Sequence, residues 1–198
     1  MRRFLLALVV VSVLNLLSAP PAVYAEEGVI FHRPTVAMLP VINNSGQKRT
    51  EYITEIVTEA LYAKFGSGRY LLVDGQTLDD ALRRQGIDDI HAASDAALFG
   101  ALRNLGIDYA ARAEIHPLIV RQRVHFPDVF LLMKAWSASV PVTFAVTNVR
   151  TGGYAYEAYF NEYAKHDFFI GFADRHQAIR LALDKVVEKF AQEQISLE

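Results

Sequence analysis

Apolar positions along this chain follow two different periods, and each period dominates one half of it. In the first half, short apolar runs at residues 35–40, 69–73 and 109–115 predict strands. Between these runs, apolar residues that recur every three or four positions predict helices at about Thr50–Phe65, Leu78–Arg84 and Ser94–Leu105. Strands that alternate with helices in this order favour right-handed crossovers and parallel pairing.

The second half is dominated by strict alternation. Residues 140–149 and 154–163 alternate between apolar and polar side chains, and the turn Arg150-Thr151-Gly152-Gly153 joins them as a hairpin. A last amphipathic helix is predicted to begin near Asp174 and to bury a stripe that ends at Phe190. The whole pattern predicts one α/β (α+β) domain, with a mixed sheet of about five strands packed against three to four helices.

The segment Met1–Ala25 has the pattern of a secretory signal peptide. A basic start precedes an apolar run to Leu17, and cleavage is predicted between Ala25 and Glu26. That run is shorter than the roughly 20 residues of a membrane-spanning helix, and an uncleaved membrane anchor is the alternative. We therefore expect a single exported, periplasmic domain over residues 26–198, with no transmembrane segment in the mature chain. Association with the outer membrane is a further expectation.

Composition narrows the chemistry. The chain contains no cysteine, which excludes disulfides, thiol catalysis, thiolate metal sites and acylation of a cysteine. Loss of the predicted signal changes the net charge from −2 to about −4, because two arginines leave with it. An acidic domain is a poor match to nucleic acid, whose phosphates select basic surfaces.

Catalytic and metal-binding spacings are missing from the sequence. It contains no Gly-x-Ser-x-Gly elbow, phosphate loop, dinucleotide-binding glycine pattern or His-Glu-x-x-His, and no two histidines are spaced i, i+4. The carboxylate pairs Asp79-Asp80 and Asp88-Asp89 are interpreted as solvated, and Lys165-His166-Asp167 is predicted to lie in a loop. We predict no catalytic residues, no metal, no cofactor and no enzyme activity.

The stretch from Arg121 to Ser139 is the first candidate for partner binding. Arg121 and Arg123 precede an almost uncharged apolar run from Val129 to Trp136. If exposed, this run would dock a protein or contact a membrane surface. If buried, it would be a core strand or a short core helix. The predicted partner-binding residues are Phe126, Phe130, Leu131, Met133 and Trp136.

The predicted hairpin carries a second candidate surface, formed by its tyrosines. These are Tyr154, Tyr156, Tyr159 and Tyr163. Tyrosine is enriched at protein interfaces, but it is also a common strand former, and alternation buries some of these side chains. Both interpretations stay open at this point.

The order of these elements resembles the CsgG-fold bacterial envelope proteins, a group that includes CsgG, LpoB and the amino-terminal domain of TolB. The matching segments are residues 36–40 (VAMLP), 43–46 (NNSG), 69–74 (RYLLVD), 83–86 (RRQG), 105–109 (LGIDY) and 149–153 (VRTGG). The terminal amphipathic helix matches as well. Two departures are clear: CsgG and LpoB are lipoproteins, whereas this chain has no cysteine to acylate, and it has little spare length for the membrane-inserting hairpins of CsgG.

The resemblance implies a cell-envelope protein that interacts or assembles, and three hypotheses follow. The first is a non-enzymatic exported module that acts by protein docking or self-association, with a peripheral membrane contact left open and nucleic acid excluded. The second is an oligomeric component of an outer-membrane export apparatus, which a stable monomer would discard. The third is a small-molecule-binding protein or hydrolase, which a deep pocket lined by converging His, Asp and Ser side chains would favour.

Overall fold

The structure of this 198-residue chain is a computed structural model that describes residues 33–73, 75–128, 131–168 and 174–197. Side chains are described except within residues 125–134 and 167–173. The predicted signal peptide and its cleavage position between Ala25 and Glu26 lie outside the described residues. Residues 33–198 form one compact unit by their contacts.

The described residues contain four helices and seven strands. The helices are α1 (Glu51–Phe65), α2 (Gly75–Arg84), α3 (Asp95–Asn104) and α4 (Arg175–Gln192). The strands are β1 (Thr35–Met38), β2 (Ile42–Asn43), β3 (Leu71–Val73), β4 (Tyr109–Ile115), β5 (Ile119–Asp128), β6 (Leu131–Asn148) and β7 (Tyr154–Phe168).

Helix ends follow from side chains that the sequence places there. The Ser94 hydroxyl accepts a hydrogen bond from the Ala97 backbone N–H and begins α3. The Asp174 carboxylate accepts from the His176 backbone N–H at 2.9 Å and begins α4. Gly106 follows α3 with φ at +71°, a left-handed conformation that favours glycine. These three boundaries agree with the sequence prediction.

All seven strands form one mixed sheet. β1 pairs in parallel with both β3 and β4, which confirms the parallel pairing expected of the first half. Residues 134–147 of β6 pair antiparallel with β7. On its other side, β6 pairs antiparallel with two strands: residues 142–148 pair with β4, and residues 131–139 pair with β5. The short β2 pairs with the end of β4. The strands β5, β6 and β7 thus form an antiparallel ribbon, and β7 lies at the edge of the sheet.

Apolar side chains pack on both faces of the sheet. On one face, α1 and α4 cover a large core that includes Phe65, Phe144 and Phe190, each at most 1% exposed. On the other face, α2 and α3 cover only the region around β1 and the start of β4, through Leu82, Leu102 and their neighbours. The second face of the ribbon is therefore left without a described helix.

The predicted fold class, a single α+β domain with a mixed sheet, is confirmed, and the strand count was too low. The prediction missed β2, which is two residues long, and β5, whose polar and basic residues hide its alternation. β6 and β7 extend beyond the predicted hairpin, so Lys165-His166-Asp167 lies in a strand and the predicted loop is wrong. Leu131–Trp136 belongs to β6, so the helical alternative for the run 129–136 is wrong over these residues.

Candidate functional site

The uncovered face of the ribbon, called the open face below, is formed by alternate residues of β6 and β7 and by the neighbouring parts of β4 and β5. Directly paired residues of antiparallel strands share a face. On the edge strand β7, Tyr159 therefore lies beside Thr143 of β6, and Tyr163 lies beside Ser139 of β6. On β4, Glu114 pairs with Thr143 from the other side. The open face is thus a continuous surface three strands wide.

Small side chains form the centre of this surface, and larger ones form its two sides. The central column on β6 consists of Ser137, Ser139, Pro141, Thr143 and Ala145. The β7 column consists of Glu157, Tyr159, Asn161, Tyr163 and Lys165. The column on β4 and β5 includes Arg112, Glu114, Ile119 and Arg121. The result is a shallow trough with hydroxyl groups and small apolar groups along its floor.

Three of the four hairpin tyrosines face solvent. Tyr154, Tyr159 and Tyr163 are 55%, 59% and 56% exposed, and Ile119 on the facing column is 54% exposed. Tyr156 points to the other face, where it packs against the core near Phe190. Exposed aromatic rings grouped on one surface are typical of protein interfaces rather than of a bare monomer surface. Both interpretations of the tyrosines are therefore correct in part: three of them are exposed on the open face, and Tyr156 packs against the core.

A polar array lies at the centre of the open face. His116 Nε2 lies 2.8 Å from the Thr143 hydroxyl, and its Nδ1 lies 3.6 Å from a Glu114 carboxylate oxygen. Asn44 donates a hydrogen bond of 2.9 Å to the same carboxylate oxygen, and the Tyr159 ring packs 5.8 Å from the imidazole. Sequence analysis missed this array because its members come from four separate segments; only the strand register brings them together.

The order carboxylate, imidazole, hydroxyl is the one used in nucleophilic catalysis. Here the array lies on the surface of a sheet, and neither His116 nor Thr143 lines either of the two cavities described below. A hydrolase needs a site that holds its substrate and stabilises an oxyanion. The array is therefore a group of hydrogen-bonding side chains on the surface of the sheet.

A cavity of about 790 Å³ lies between the carboxyl ends of α1 and α4 and the segment that follows α4. Lys64 reaches across it and donates to the carbonyl oxygens of Ala191 and Glu193, which neutralises the negative end of the α4 dipole. Tyr70 donates to the Ile195 carbonyl at 3.0 Å. These contacts fasten the carboxyl-terminal segment to the core, which is a structural role.

A second cavity, about 520 Å³, lies between α1 and the start of α4. Tyr52 and His176 line it with their rings 6.0 Å apart, together with Arg49 and Arg180. Burial, followed by the nearby Asp174 carboxylate, raises the pKa of Tyr52 above its ordinary value. Neither this cavity nor the larger one brings His, Asp and Ser side chains together in the way the third hypothesis requires.

Four of the five predicted partner-binding residues, Phe126, Leu131, Met133 and Trp136, lie at the end of the ribbon distant from α2 and α3. Trp136 is half-buried and packs against the large core, in register with Gln122 and His166. Phe126, Leu131 and Met133 lie in β5 and β6, and their side chains are outside the described residues, as is the whole of Phe130. The docking prediction for these residues therefore stays a prediction.

The carboxylate pairs considered in the sequence analysis lie on the surface of the protein. The side chains of Asp79, Asp80, Asp88 and Asp89 are all exposed, as expected of solvated carboxylates. Across the described part of the chain, no three His, Asp or Glu side chains converge in a way that could hold a metal ion. Over the same residues, no helix combines the length and apolar character that crossing a membrane requires.

Comparison with known proteins gives a fold-level result. No family model matches the chain, and no curated protein sequence matches it. A putative neuraminyllactose-binding hemagglutinin homolog from Helicobacter pylori has a similar structure, with a TM-score of 0.53 and 11% identity over 82% of this chain and 83% of that one. At that identity the likeness shows the fold alone.

Two further similar structures come from other bacterial proteins. The LpoB C-terminal domain from Escherichia coli gives a TM-score of 0.45 and 18% identity, covering 65% of this chain and 82% of that chain. Lipoprotein GNA1162 from Neisseria meningitidis gives a TM-score of 0.44 and 12% identity, covering 81% and 99%. The resemblance of this chain to the group of CsgG, LpoB and TolB stays a prediction.

Proposed function

We propose that this chain is an exported, non-enzymatic interaction module of the cell envelope that docks a protein partner on the open face. The single observation that carries the proposal is the row of exposed tyrosines, Tyr154, Tyr159 and Tyr163, along β7, an edge strand of the described sheet. Tyrosine supplies a large contact area and a hydrogen-bonding hydroxyl at low cost in conformational entropy. The pattern of residues 1–25 supports export.

The shape of the open face supports docking rather than catalysis. Its central column is built from small side chains, so a partner strand or loop can approach the sheet closely between the two larger columns. Arg112, Glu114 and His116 add charged and hydrogen-bonding groups on one side. A protein surface of mixed polarity fits this arrangement better than a small molecule, which needs an enclosed pocket.

The apolar end of the ribbon extends the proposed surface. We also propose partner contacts by Phe126, Phe130, Leu131, Met133 and Trp136, since β5 and β6 extend away from the part of the sheet that α2 and α3 cover. Trp136 would make its contact from the other face of the ribbon, where it is half-buried against the large core. A role as an oligomeric component of an outer-membrane export apparatus remains the alternative proposal, and it would use the same ribbon for contacts between copies.

The test compares partner capture by three versions of the protein. Replacement of both Tyr159→Ser and Tyr163→Ser removes two exposed rings and leaves the core intact, so the fold is expected to persist. Tyr62→Ser is the matched control, because Tyr62 is also exposed but lies on α1. We expect at least one envelope protein to be recovered about tenfold less by the double variant than by the wild type or the control, as measured by quantitative mass spectrometry. Equal recovery by all three versions would exclude the open face as the docking surface.

A further inference from the structure

The outer side of β7 pairs with no strand in the described part of the chain. β7 is fifteen residues long, contains no proline, and pairs regularly with β6 from Tyr156 to Phe168. Long unpaired edges of this kind are templates for another strand unless charges, prolines or bulges protect them. The residues on this edge therefore decide which strand it accepts.

One hydrogen bond marks which backbone groups face outward. Lys185 of α4 donates from Nζ to the Tyr163 carbonyl at 3.0 Å, so this carbonyl points away from β6. Backbone groups of a regular strand alternate between its two sides. The amide and carbonyl groups of residues 157, 159, 161 and 165 therefore share the outer edge with Tyr163. The Tyr163 carbonyl keeps a second lone pair for a further donor, so Lys185 does not block a new strand.

The side chains of these residues form a self-complementary pattern centred on Asn161. Moving outward from Asn161, the open face carries Tyr159 on one side and Tyr163 on the other, then Glu157 and Lys165. All five side chains are exposed. A second copy of β7, antiparallel and centred on the same residue, would place Glu157 opposite Lys165 of that copy and Tyr159 opposite Tyr163 of that copy. Both pairs occur twice because the arrangement is two-fold symmetric.

Neighbouring two-fold registers lose this complementarity. Centring the pair on Phe160 places Glu157 opposite Tyr163 of the second copy, and centring it on Glu162 places Glu157 opposite Asp167. Directly opposite charges on adjacent strands stabilise when unlike and destabilise when alike. The charge pattern thus selects one register, which is what a specific edge-to-edge contact requires.

We propose that the partner of the β7 edge is a second copy of this chain, paired antiparallel about Asn161 to form a two-fold dimer with one continuous sheet. This inference deepens the proposed function and rests on it only in taking the ribbon as the contact surface. The four tyrosines contributed by Tyr159 and Tyr163 of the two copies lie side by side across the junction. The dimer therefore doubles the area of the open face.

Charge reversal tests the register directly. Glu157→Lys and Lys165→Glu each put like charges opposite one another at both ends of the contact, whereas a mixture of the two single variants restores unlike charges at both ends. Glu188→Lys on α4 makes the same charge change as Glu157→Lys at an exposed position outside β7. The measurement is sedimentation velocity of the chain, purified after export, from about 1 to 100 µM.

We expect the wild type and Glu188→Lys to dimerise in the micromolar range and each β7 variant to dimerise about tenfold more weakly or worse. An equimolar mixture of Glu157→Lys and Lys165→Glu should recover the dimer, which also shows that both variants are folded. A wild type that stays monomeric throughout, or a dimer that both variants leave unchanged, overturns the inference. Loss of the dimer with continued capture of a foreign envelope protein would leave the proposed function standing.

Discussion

Replacing Phe144 with alanine should lower the free energy of unfolding by about 4 kcal/mol, because this substitution opens a cavity at the centre of the large core. The Phe144 ring is 1% exposed and stacks on Phe190 of α4, with centroids 3.8 Å apart and planes 6° from parallel. Phe160 packs edge-on against the same ring at 5.9 Å. Such a loss is a large fraction of the stability of an ordinary domain.

Urea unfolding followed by far-ultraviolet circular dichroism measures this effect. Phe160→Ala is the matched control, since its ring is only half-buried and its removal should cost clearly less than that of Phe144. A loss below about 1 kcal/mol for Phe144→Ala would mean that α4 does not depend on this aromatic stack.

Replacing Tyr156 with phenylalanine should raise the free energy of unfolding by about 1 kcal/mol near pH 8. The Tyr156 hydroxyl is buried beside the core and has no hydrogen-bond partner among the described residues, so the folded state carries its desolvation without compensation. The ring itself packs 6.4 Å from Phe190, and phenylalanine keeps that contact. Tyr163→Phe, at an exposed position, should leave stability unchanged.

The same hydroxyl predicts a loss of stability in alkali. Burial, followed by the Glu193 carboxylate, raises the pKa of Tyr156 to about 12 from its ordinary value of 10.0. As the pH rises, the unfolded chain therefore releases this proton before the folded chain does. The free energy of unfolding is thus unaffected by this group below pH 10.0 and decreases as the pH rises towards about 12. Unfolding curves between these limits should fall less steeply for Tyr156→Phe than for the wild type; a steeper fall, or a destabilised variant near pH 8, would contradict the assignment.

Local chemistry made most of the fold predictable. Caps such as Ser94 and Asp174 and the short apolar run at residues 109–115 identify element ends without any tertiary information. β5 was missed because Arg121, Gln122 and Arg123 are three consecutive polar residues. They interrupt the alternation of apolar and polar side chains by which a strand is recognised. Such a strand is specified by its pairing with β6 rather than by burial, and pairing partners are not visible in a single sequence.

The candidate site was predictable only in part. The tyrosines of β7 were identified, but their division between the two faces depends on the bulge near Tyr154 and on the register with β6. The array of His116, Thr143 and Glu114 was invisible because its residues lie far apart in sequence and meet only through two separate strand pairings. Residue types alone therefore predicted an interaction surface, and the strand register brings three of the tyrosines together on the open face.

We propose that the open face, and not another exposed surface, contacts the partner in the cell. A photoreactive phenylalanine derivative introduced at Tyr159 tests it most directly, with Leu71 on β3 at the opposite edge of the sheet as the matched position. The two side chains are 59% and 55% exposed, so solvent access does not distinguish them. After irradiation of intact cells, each adduct is identified by mass spectrometry.

We predict protein adducts from position 159 and none from position 71. Adducts that contain only this chain would indicate a second copy as the neighbour, and adducts with another envelope protein would identify a foreign partner. Equal adducts from both positions, or adducts from position 71 alone, would contradict the account.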